Sequence, residues 1–358
     1  MVKKFIKDLT AYQAEEPAEL VKKRYGLKEL ARLSANESVY GPSPLAVQAL
    51  QAVNPAVLNY YPDGQATALR QAVAKVEQVP VKSLIFGDGA DELIELLTRT
   101  ILTPGSEMIV PQPTFGEYAI HAQIEAAKTT QVPINAQSGY VDFNALLAAI
   151  TDQTALIFLA NPNNPTGVLE KTADIRAFLD QLPADVILVV DEAYYEFANN
   201  PEATCAPLVQ QYDNLVVLRT LSKAYGLANL RVGYGIVPDQ LFDILQAVRL
   251  PYNLSTYQIT GGAAAVADQS YLQKVVQQVS QERQDFETYL TKLGLTFYPS
   301  ATNFIWVKVG DADLVGQKLL ENGYQINARL NPEWIRITLG TSAQNHAIQK
   351  ILGQILAK

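Results

Sequence analysis

The sequence predicts an α/β fold with a large domain on a mainly parallel β-sheet and a smaller α+β domain. Between residues 45 and 250, short apolar runs alternate with helical patterns, which is the rhythm of βαβ units. Several of these runs are almost continuously apolar, as is typical of strands buried on both faces of a parallel sheet. From about residue 275 the rhythm changes, and 358 residues suffice for one large and one small domain.

The predicted elements follow in chain order. Segments that read as strands of the large domain are SLIFG (83–87), EMIVP (107–111), KTTQVP (128–133), ALIFLA (155–160), VILVVD (186–191), NLVVLR (214–219) and VGYGIV (232–237). Helical patterns such as ADELIELLTRTIL and EKTADIRAFLDQL lie between them. After a long polar helix pattern come the strand TNFIWVKV, the helix DLVGQKLLENG, the strand WIRITLG and a terminal helix.

These patterns divide the chain into three parts. Residues 1–40 form an N-terminal arm with part of the small domain, and residues 41–250 form the large domain. Residues 251–358 form a linking helix and the small C-terminal α+β domain. The arm either joins the small domain or reaches a partner subunit.

Composition argues against several classes of protein. A net charge of −8 gives no electrostatic support for binding nucleic acid. No apolar run approaches the roughly 20 residues that a membrane helix needs, and no signal peptide is evident. The only cysteine is Cys205, so an intrachain disulfide is excluded, which suits a cytoplasmic protein. The two histidines, His121 and His346, are far apart, so neither a metal site nor a histidine-based triad is expected.

Polar or small residues follow four of the predicted strands, and ligands of open α/β sheets bind beyond the carboxyl ends of strands. The first is GDGADELIELL, where a helix is expected to start near Ala90. The free N–H groups and the dipole of a helix N-terminus favour an anion such as a phosphate. The alternative is an ordinary glycine-rich helix start capped by Asp91. Glu92 occupies the place of the third glycine of the dinucleotide fingerprint, so that reading is rejected.

The other three strand ends carry an amide, a carboxylate and two cations. NPNNPTG makes a tight turn that can offer the Asn164 amide to a ligand, or is simply a turn. VILVVD brings Asp191 to a strand end, where a carboxylate needs a partner; a helix cap or a core ion pair would also provide one. TLSKAYGLANLR contributes Ser222, Lys223 and Arg231, and a surface lysine is the alternative for Lys223. Taken together, the four ends place complementary groups at one edge of the sheet.

In this order the motifs resemble those of the fold-type-I pyridoxal-phosphate-dependent aminotransferases, and most closely the histidinol-phosphate aminotransferase group. Each motif is short, but nine in the same order make coincidence improbable. The resemblance covers nearly the whole chain and lies in LTAYQ (9–13), LSANESVYGPSP (33–44), YYPDG (60–64), GDGADELI (87–94), PTFGEY (113–118), NPNNPTG (161–167), DEAYYEF, RTLSKAYGLANLRVGY and WIRITLGT (334–341).

The resemblance implies the cofactor pyridoxal 5'-phosphate, held covalently by Lys223 with Asp191 at the ring nitrogen. Asn164 and Tyr194 would hydrogen-bond the ring hydroxyl oxygen, and Phe115 would stack on the ring. Lys223 would also be the general base, which removes the need for a histidine. Lys223, Asp191 and Tyr194 are therefore the implied catalytic residues, and no metal is implied.

The resemblance also implies how the cofactor phosphate is bound. Ala90 and Asp91 would give backbone N–H groups, while Ser222 and Arg231 would add side-chain hydrogen bonds. Tyr61, in YYPDG, matches a tyrosine that reaches the phosphate from the neighbouring subunit. An active homodimer with shared sites is therefore implied.

The implied reaction converts L-histidinol phosphate and 2-oxoglutarate into imidazole acetol phosphate and glutamate, a step of histidine biosynthesis. Tyr12, Asn36 and Arg336 are the implied substrate-binding residues. Asn327 stands where the family usually has a second substrate-binding arginine. Arg329 lies two residues further on, on the same face of the expected extended strand, and is the candidate substitute.

Three alternatives to this reaction stay open on sequence grounds. An aromatic amino acid aminotransferase or a related decarboxylase of a phosphorylated amino acid would use the same cofactor residues. A non-catalytic regulatory protein that binds the cofactor is the alternative from a different class. Such regulators carry an added DNA-binding domain, and none is visible in the sequence.

Overall fold

The computed structural model describes residues 4–7, 9 and 15–356 of the chain. In this part the strands are β1 (Ala31–Leu33), β2 (Leu84–Asp88), β3 (Glu107–Gln112), β4 (Lys128–Pro133), β5 (Thr154–Ala160), β6 (Ile187–Asp191), β7 (Leu215–Thr220), β8 (Val232–Ile236), β9 (Phe304–Lys308), β10 (Tyr324–Ile326) and β11 (Trp334–Thr338). The α-helices are α1 (Ala18–Tyr25), α2 (Pro44–Gln51), α3 (Thr67–Glu77), α4 (Gly89–Ile101), α5 (Glu117–Ile124), α6 (Phe143–Ala148), α7 (Thr172–Leu179), α8 (Asp239–Val248), α9 (Thr256–Ala267), α10 (Gln269–Lys292), α11 (Ala312–Glu321) and α12 (Ser342–Leu356).

The large sheet has seven strands in the order β2-β8-β7-β6-β5-β3-β4. All seven segments predicted as its strands are present, with bounds that shift by a residue or two. Neighbours among β3 to β7 pair in parallel, whereas β8 is antiparallel to both β2 and β7. The prediction of a mainly parallel sheet is therefore confirmed, with one strand in the opposite direction.

Both faces of this sheet are covered, which explains the almost continuous apolar runs. In β6, Leu188 and Val190 pack into the apolar core on one face, and Val189 packs into the core on the other. All three side chains have 0% of their surface exposed. A strand buried on both faces has no polar side to show in its sequence, so alternation is lost.

The strand directions bring the polar strand ends together. Because β8 is antiparallel to both neighbours, β2 points the same way as the parallel strands. The carboxyl ends of β2, β5, β6 and β7 therefore lie along one edge of the sheet. Arg231 directly precedes β8, whose start lies at the same edge, opposite the ends of β2 and β7.

The C-terminal part carries two small sheets. β9 and β11 pair antiparallel, and β1 pairs in parallel with β10. A bridge between Asn327 and Arg336 connects the two pairs. The sequence left open whether the N-terminal arm joins the small domain or reaches a partner subunit. Residues 31–33 of the arm pair with the C-terminal part of the same chain. The division into 1–40, 41–250 and 251–358 stays a prediction.

None of the helices in the described ranges combines the length and the apolar character needed to cross a membrane.

Candidate active site

A cavity of about 830 Å³ opens at the edge of the sheet where the polar strand ends meet. Most of the predicted site residues line it. They are Asn36, Ala90, Asp91, Phe115, Asn164, Asp191, Tyr194, Ser222, Lys223, Arg231, Arg329 and Arg336. Of the other two, Tyr12 lies outside the described residues, and Tyr61 is not among the residues that line the cavity.

Lys223 is half-buried in the loop after β7, with its amine facing the cavity. Its Nζ donates a hydrogen bond to the carbonyl oxygen of Ala35 at 3.0 Å. The same Nζ lies 5.8 Å from the centre of the Tyr194 ring. No carboxylate among the described residues forms an ion pair with it. Lys223 is therefore a cavity residue, and the surface-lysine alternative does not hold.

Asp191 ends β6, and only 6% of its surface is exposed. The Tyr118 hydroxyl donates to Oδ2 at 2.7 Å, and the Ala193 N–H donates to Oδ1 at 3.1 Å. Burial raises the pKa of Asp191 to about 6, although both hydrogen bonds and the charge of Lys223 oppose the rise. A cationic group placed beside this carboxylate would therefore be strongly favoured.

Tyr118 is a site residue that the sequence reasoning missed. It lies in α5 and is fully buried, with its ring stacked on Phe158 at a centroid distance of 4.5 Å. Phe115, which was predicted, meets the Tyr118 ring edge-on at 5.6 Å. The motif PTFGEY contains both aromatic residues, but nothing in it singles out Tyr118. A lone tyrosine in a helix gives no indication that its hydroxyl reaches a strand end.

Asn36 connects the loop after β6 to the C-terminal part of the chain. Its Nδ2 donates to the Tyr194 hydroxyl at 2.9 Å, and its Oδ1 accepts from Thr338 Oγ1 at 3.0 Å. Its carbonyl oxygen also accepts from Asn303 Nδ2 at 3.0 Å. Asn36 is 1% exposed and adopts φ +57°, a region that asparagine tolerates better than most residues. These bonds hold the Tyr194 hydroxyl in place at the cavity.

Arg336 and Asn164 form a direct contact in the cavity. Arg336 Nη1 donates to Asn164 Oδ1 at 2.6 Å, and Nη2 donates to the carbonyl oxygen of Ser34 at 2.5 Å. Arg336 is 7% exposed, and Asn164 is 8% exposed. The Nδ2 group of Asn164 makes no hydrogen bond with a described residue, so it is available to a ligand. Arg336 thus places a buried cation in direct contact with Asn164, one of the residues predicted from the sequence to bind the ring.

The start of α4 forms a cradle for an anion. α4 begins at Gly89, directly after β2 and one residue before the expected start. Asp91 lies inside the first turn and does not cap the helix; it forms an ion pair with Arg231 at 3.0 Å. Gly89 has φ +75°, and a Cβ there would overlap the Arg231 guanidinium. With the Ser222 hydroxyl, the free N–H groups and this guanidinium line the same end of the cavity.

Arg329 is not on the extended strand that was predicted. β10 ends at Ile326, and the chain bends at Arg329. The backbone N–H of Arg329 donates to Asn327 Oδ1 at 3.1 Å, a side-chain turn that asparagine commonly makes. The turn that Asn327 makes therefore follows directly on the end of β10. Arg329 still lines the outer cavity, with an exposed side chain.

Tyr61 belongs to an exposed aromatic surface. Its side chain is 81% exposed and stacks on Tyr252 at a centroid distance of 4.7 Å. In the described part of the chain, no group of three or more His, Cys, Asp and Glu side chains is arranged to hold a metal ion.

Fold and site together define an α/β protein with a lysine-centred cavity at the carboxyl edge of its sheet. The chain belongs to the class I and II aminotransferase family, whose family model matches residues 28–352. The resemblance drawn from the nine motifs is confirmed, and the fold is that of the fold-type-I transferases.

Relatives of known name resemble the chain over nearly its full length. It is 65% identical over 344 residues to the histidinol-phosphate aminotransferase of Leuconostoc mesenteroides, covering 96% of each chain. It is 60% identical to that of Leuconostoc citreum, covering 98% of this chain and 99% of the relative. The crystal structure of histidinol-phosphate aminotransferase from Sinorhizobium meliloti in complex with pyridoxal-5'-phosphate has a TM-score of 0.89 at 28% identity, covering 99% of this chain and 97% of that one.

Proposed function

We propose that the protein is a pyridoxal-phosphate-dependent aminotransferase that converts L-histidinol phosphate and 2-oxoglutarate into imidazole acetol phosphate and glutamate, within histidine biosynthesis. The observation that carries this proposal is one cavity that contains the Lys223 amine, the Asp191 carboxylate and the anion cradle of α4 and Arg231. The relatives named above, at 65% and 60% identity, support the choice of substrate.

The residues present fit the cofactor. An aldehyde needs an amine, a pyridine nitrogen needs an acid, and a phosphate needs N–H groups and a cation. Lys223, Asp191 and the cradle at Gly89 supply these in turn, and the missing Cβ of Gly89 leaves the guanidinium of Arg231 in place. A cavity of about 830 Å³ also lies within the range of roughly 300–1,000 Å³ usual for small-molecule sites.

When bound, pyridoxal phosphate supplies an electron-accepting ring that stabilises negative charge at the α-carbon of the amino donor. Lys223 would hold the cofactor covalently, and its free Nζ would accept the α-proton of the amino donor. The amine donates a hydrogen bond to the carbonyl oxygen of Ala35 and lies 5.8 Å from the centre of the Tyr194 ring. Lys223 thus acts first as anchor and then as general base.

The neighbouring side chains hold protons and orient the ring. Asp191, when ionised, accepts a charge-assisted hydrogen bond from a protonated ring nitrogen, and the Tyr118 hydroxyl keeps the carboxylate in position. Tyr194 and the free Nδ2 group of Asn164 donate to the ring hydroxyl oxygen. Phe115 covers one side of the ring.

The phosphate and substrate ends of the site use cations. The backbone N–H groups of Ala90 and Asp91, the Ser222 hydroxyl and Arg231 bind the cofactor phosphate. Arg231 would exchange its exposed ion pair with Asp91 for the phosphate, since such pairs contribute little. Arg336 binds an anionic group of the substrate.

The homodimer is part of the proposal. By resemblance Tyr61 serves the partner's site, and its absence from the residues that line the cavity of its own chain supports this role. It lies beside further large exposed apolar side chains, with Leu58 71%, Tyr60 78% and Leu250 60% exposed. An apolar surface of this kind marks a protein interface. A cytoplasmic location is also proposed, supported by the single buried cysteine, Cys205.

The test is a half-reaction of the purified holoenzyme, followed through the visible absorbance of the bound cofactor. We expect histidinol phosphate to convert the cofactor to its amino form much faster than phenylalanine does. Lys223→Ala should retain cofactor but lose turnover. Faster conversion by phenylalanine would replace the substrate assignment, and turnover by Lys223→Ala would overturn the mechanism.

A further inference from the structure

β1 and β10, together with the residue that follows each strand, present four polar side chains to the cavity that the proposed mechanism does not use: Arg32, Ser34, Gln325 and Asn327. We call them the ribbon site. In the parallel register Arg32 lies opposite Gln325, and Leu33 lies opposite Ile326. One further residue along each chain, Ser34 lies beside Asn327. Because side chains alternate between the faces of a strand, the four share one face.

Two buried atoms of the ribbon site have no hydrogen bond with the described part of the chain. Ser34 is 4% exposed, and its Oγ makes no hydrogen bond with a described residue. The buried Oε1 of Gln325 likewise accepts no hydrogen bond from residues within the described ranges. Buried polar atoms of native proteins are nearly always satisfied, so this hydroxyl is free to bind a ligand group in the cavity.

The ribbon site lies next to Arg336. The carbonyl oxygen of Ser34 accepts the hydrogen bond from Arg336 Nη2 at 2.5 Å, and Asn327 forms a backbone bridge with Arg336. An anion bound by Arg336 would therefore lie close to Ser34 and its hydroxyl. One anionic group can thus contact both Arg336 and the ribbon site.

Arg32 supplies the charge. Its Nη2 lies 3.5 Å from Glu15 Oε2 and 3.7 Å from Glu37 Oε1, and its side chain is 45% exposed. Exposed ion pairs at these distances contribute little stability. A phosphate monoester offers a guanidinium shorter, bidentate hydrogen bonds and can displace both carboxylates.

We propose that the ribbon site is a second anion-binding subsite, which takes the phosphate monoester group of the amino donor. Arg32 and the Ser34 hydroxyl donate to the phosphate oxygens and provide the recognition that an arginine at Asn327 would otherwise give. The proposal rests on the proposed function, because it names residues that select the phosphorylated substrate.

The test compares steady-state kinetics of the holoenzyme with L-histidinol phosphate and with L-histidinol, which lacks the phosphate. For Arg32→Gln we expect kcat/KM for histidinol phosphate to fall about 10- to 100-fold, mainly through KM, as for the loss of one charge-assisted hydrogen bond. Activity with histidinol should not change, and Arg32→Lys should retain part of the selectivity. Ser34→Ala should lower the same kcat/KM about 3- to 10-fold.

A direct readout of the anion is inhibition by inorganic phosphate, which should weaken in Arg32→Gln in parallel with KM. The matched control is Arg24→Gln, which also loses a surface ion pair of the N-terminal region, with Glu16 at 2.6 Å, and should change neither value. A parallel series with 2-oxoglutarate shows whether the carboxylates of the oxo acid use the same residues. A loss confined to 2-oxoglutarate would overturn the proposal.

Equal losses for histidinol and histidinol phosphate in Arg32→Gln would contradict the proposal. So would a phosphate-specific loss in Arg329→Gln with none in Arg32→Gln. Failure of the wild-type enzyme to use histidinol phosphate would instead reject the proposed function. The phosphate-inhibition series, run with whichever amino donor is active, would still decide whether Arg32 binds the anion.

Discussion

At the scale of single residues, the position of Asp191 determines its chemistry. The end of a buried strand removes the carboxylate from water, which raises its pKa to about 6. The Tyr118 hydroxyl and the Ala193 N–H stabilise the ionised form, but they do not return the pKa of Asp191 to its ordinary value. In this state the carboxylate is charged above pH 6 and neutral below it.

This pKa predicts how cofactor binding depends on pH. The affinity of the apoenzyme for pyridoxal phosphate should fall as the pH drops through 6, by up to about tenfold per unit, because the neutral carboxylic acid cannot form an ion pair with the protonated ring nitrogen. Asp191→Asn controls for the ionisation of the cofactor itself. Titrations from pH 5 to 8 should show the two proteins converging at low pH, and a constant affinity ratio would contradict the assignment.

The sequence identified the residues that end strands but not their partners. Asp191, Lys223 and Asn164 were recognisable because they follow or end buried strands, and ligands of open α/β sheets bind beyond the carboxyl ends of strands. Tyr118 was not, since its hydroxyl meets Asp191 only through tertiary packing. Arg329 was placed on an extended strand, and the prediction failed because the side chain of Asn327 closes a local turn there.

At the scale of elements, the start of α4 depends on one backbone conformation. Gly89 adopts φ +75°, and its missing Cβ leaves space for the Arg231 guanidinium. We predict that Gly89→Ala weakens cofactor affinity at least tenfold, because Arg231 must move away from the helix N-terminus. Equilibrium titration of the apoenzyme with pyridoxal phosphate measures this.

The matched control is Gly26→Ala. Gly26 ends α1 with φ +65°, and nothing lies within 4 Å of a Cβ built there. Both variants should lose about 1–2 kcal/mol of stability from the positive φ. Only Gly89→Ala should lose affinity, and equal affinities in the two variants would contradict the role of the cradle.

A second element-level feature lies at the amino-terminal edge of the sheet, away from the cavity. Burial raises the pKa of Glu107, but hydrogen bonds from Lys128, Thr130, Thr151 and Thr154 outweigh it and lower the pKa to about 2. The carboxylate thereby joins the start of β3 to residues of β4 and β5. It connects three strands at the edge opposite the site.

The lowered pKa predicts a stability that depends on pH. Glu107 should contribute up to about 3 kcal/mol to the free energy of unfolding. This contribution is fully present above the pKa of Glu107 in the unfolded chain, near 4.5, and is lost as the pH falls towards 2. Chemical denaturation should show that Glu107→Gln removes this contribution at pH 7. Glu95→Gln, which loses only an exposed ion pair with Arg99, is the control. Equal stabilities of the two variants at pH 7 would contradict the prediction.

At the scale of the whole molecule, the direction of strands assembles the site. The apolar runs predicted the strands, because burial on both faces leaves an unmistakable pattern. They could not give the pairing of β8 with β2 or of β1 with β10, since both depend on contacts distant in the sequence. The antiparallel β8 is what brings Arg231 to the edge that holds Lys223.

The proposed homodimer predicts complementation between inactive subunits. A hybrid of a Lys223→Ala subunit and a Tyr61→Ala subunit contains one site with both native residues, because Tyr61 serves the partner. Co-expression should therefore give more activity than either variant alone, measured per dimer in a steady-state assay. No gain in verified hybrids would contradict a shared site.

The exposed apolar surface gives an independent check on the dimer. Leu58→Asp should shift the protein from dimer towards monomer in analytical ultracentrifugation, since Leu58 is 71% exposed within that surface. Leu20→Asp, at a 52% exposed leucine of α1, should leave the dimer intact. A monomeric wild-type protein would reject this part of the account.

The most direct test of the central claim is to fix the bound cofactor to the protein with borohydride and map the modified peptide by mass spectrometry. The account predicts that the reduced cofactor is attached to Lys223 and that Lys223→Ala is not labelled. Labelling of another lysine, or none in the yellow holoenzyme, would contradict the assignment of this cavity as the active site.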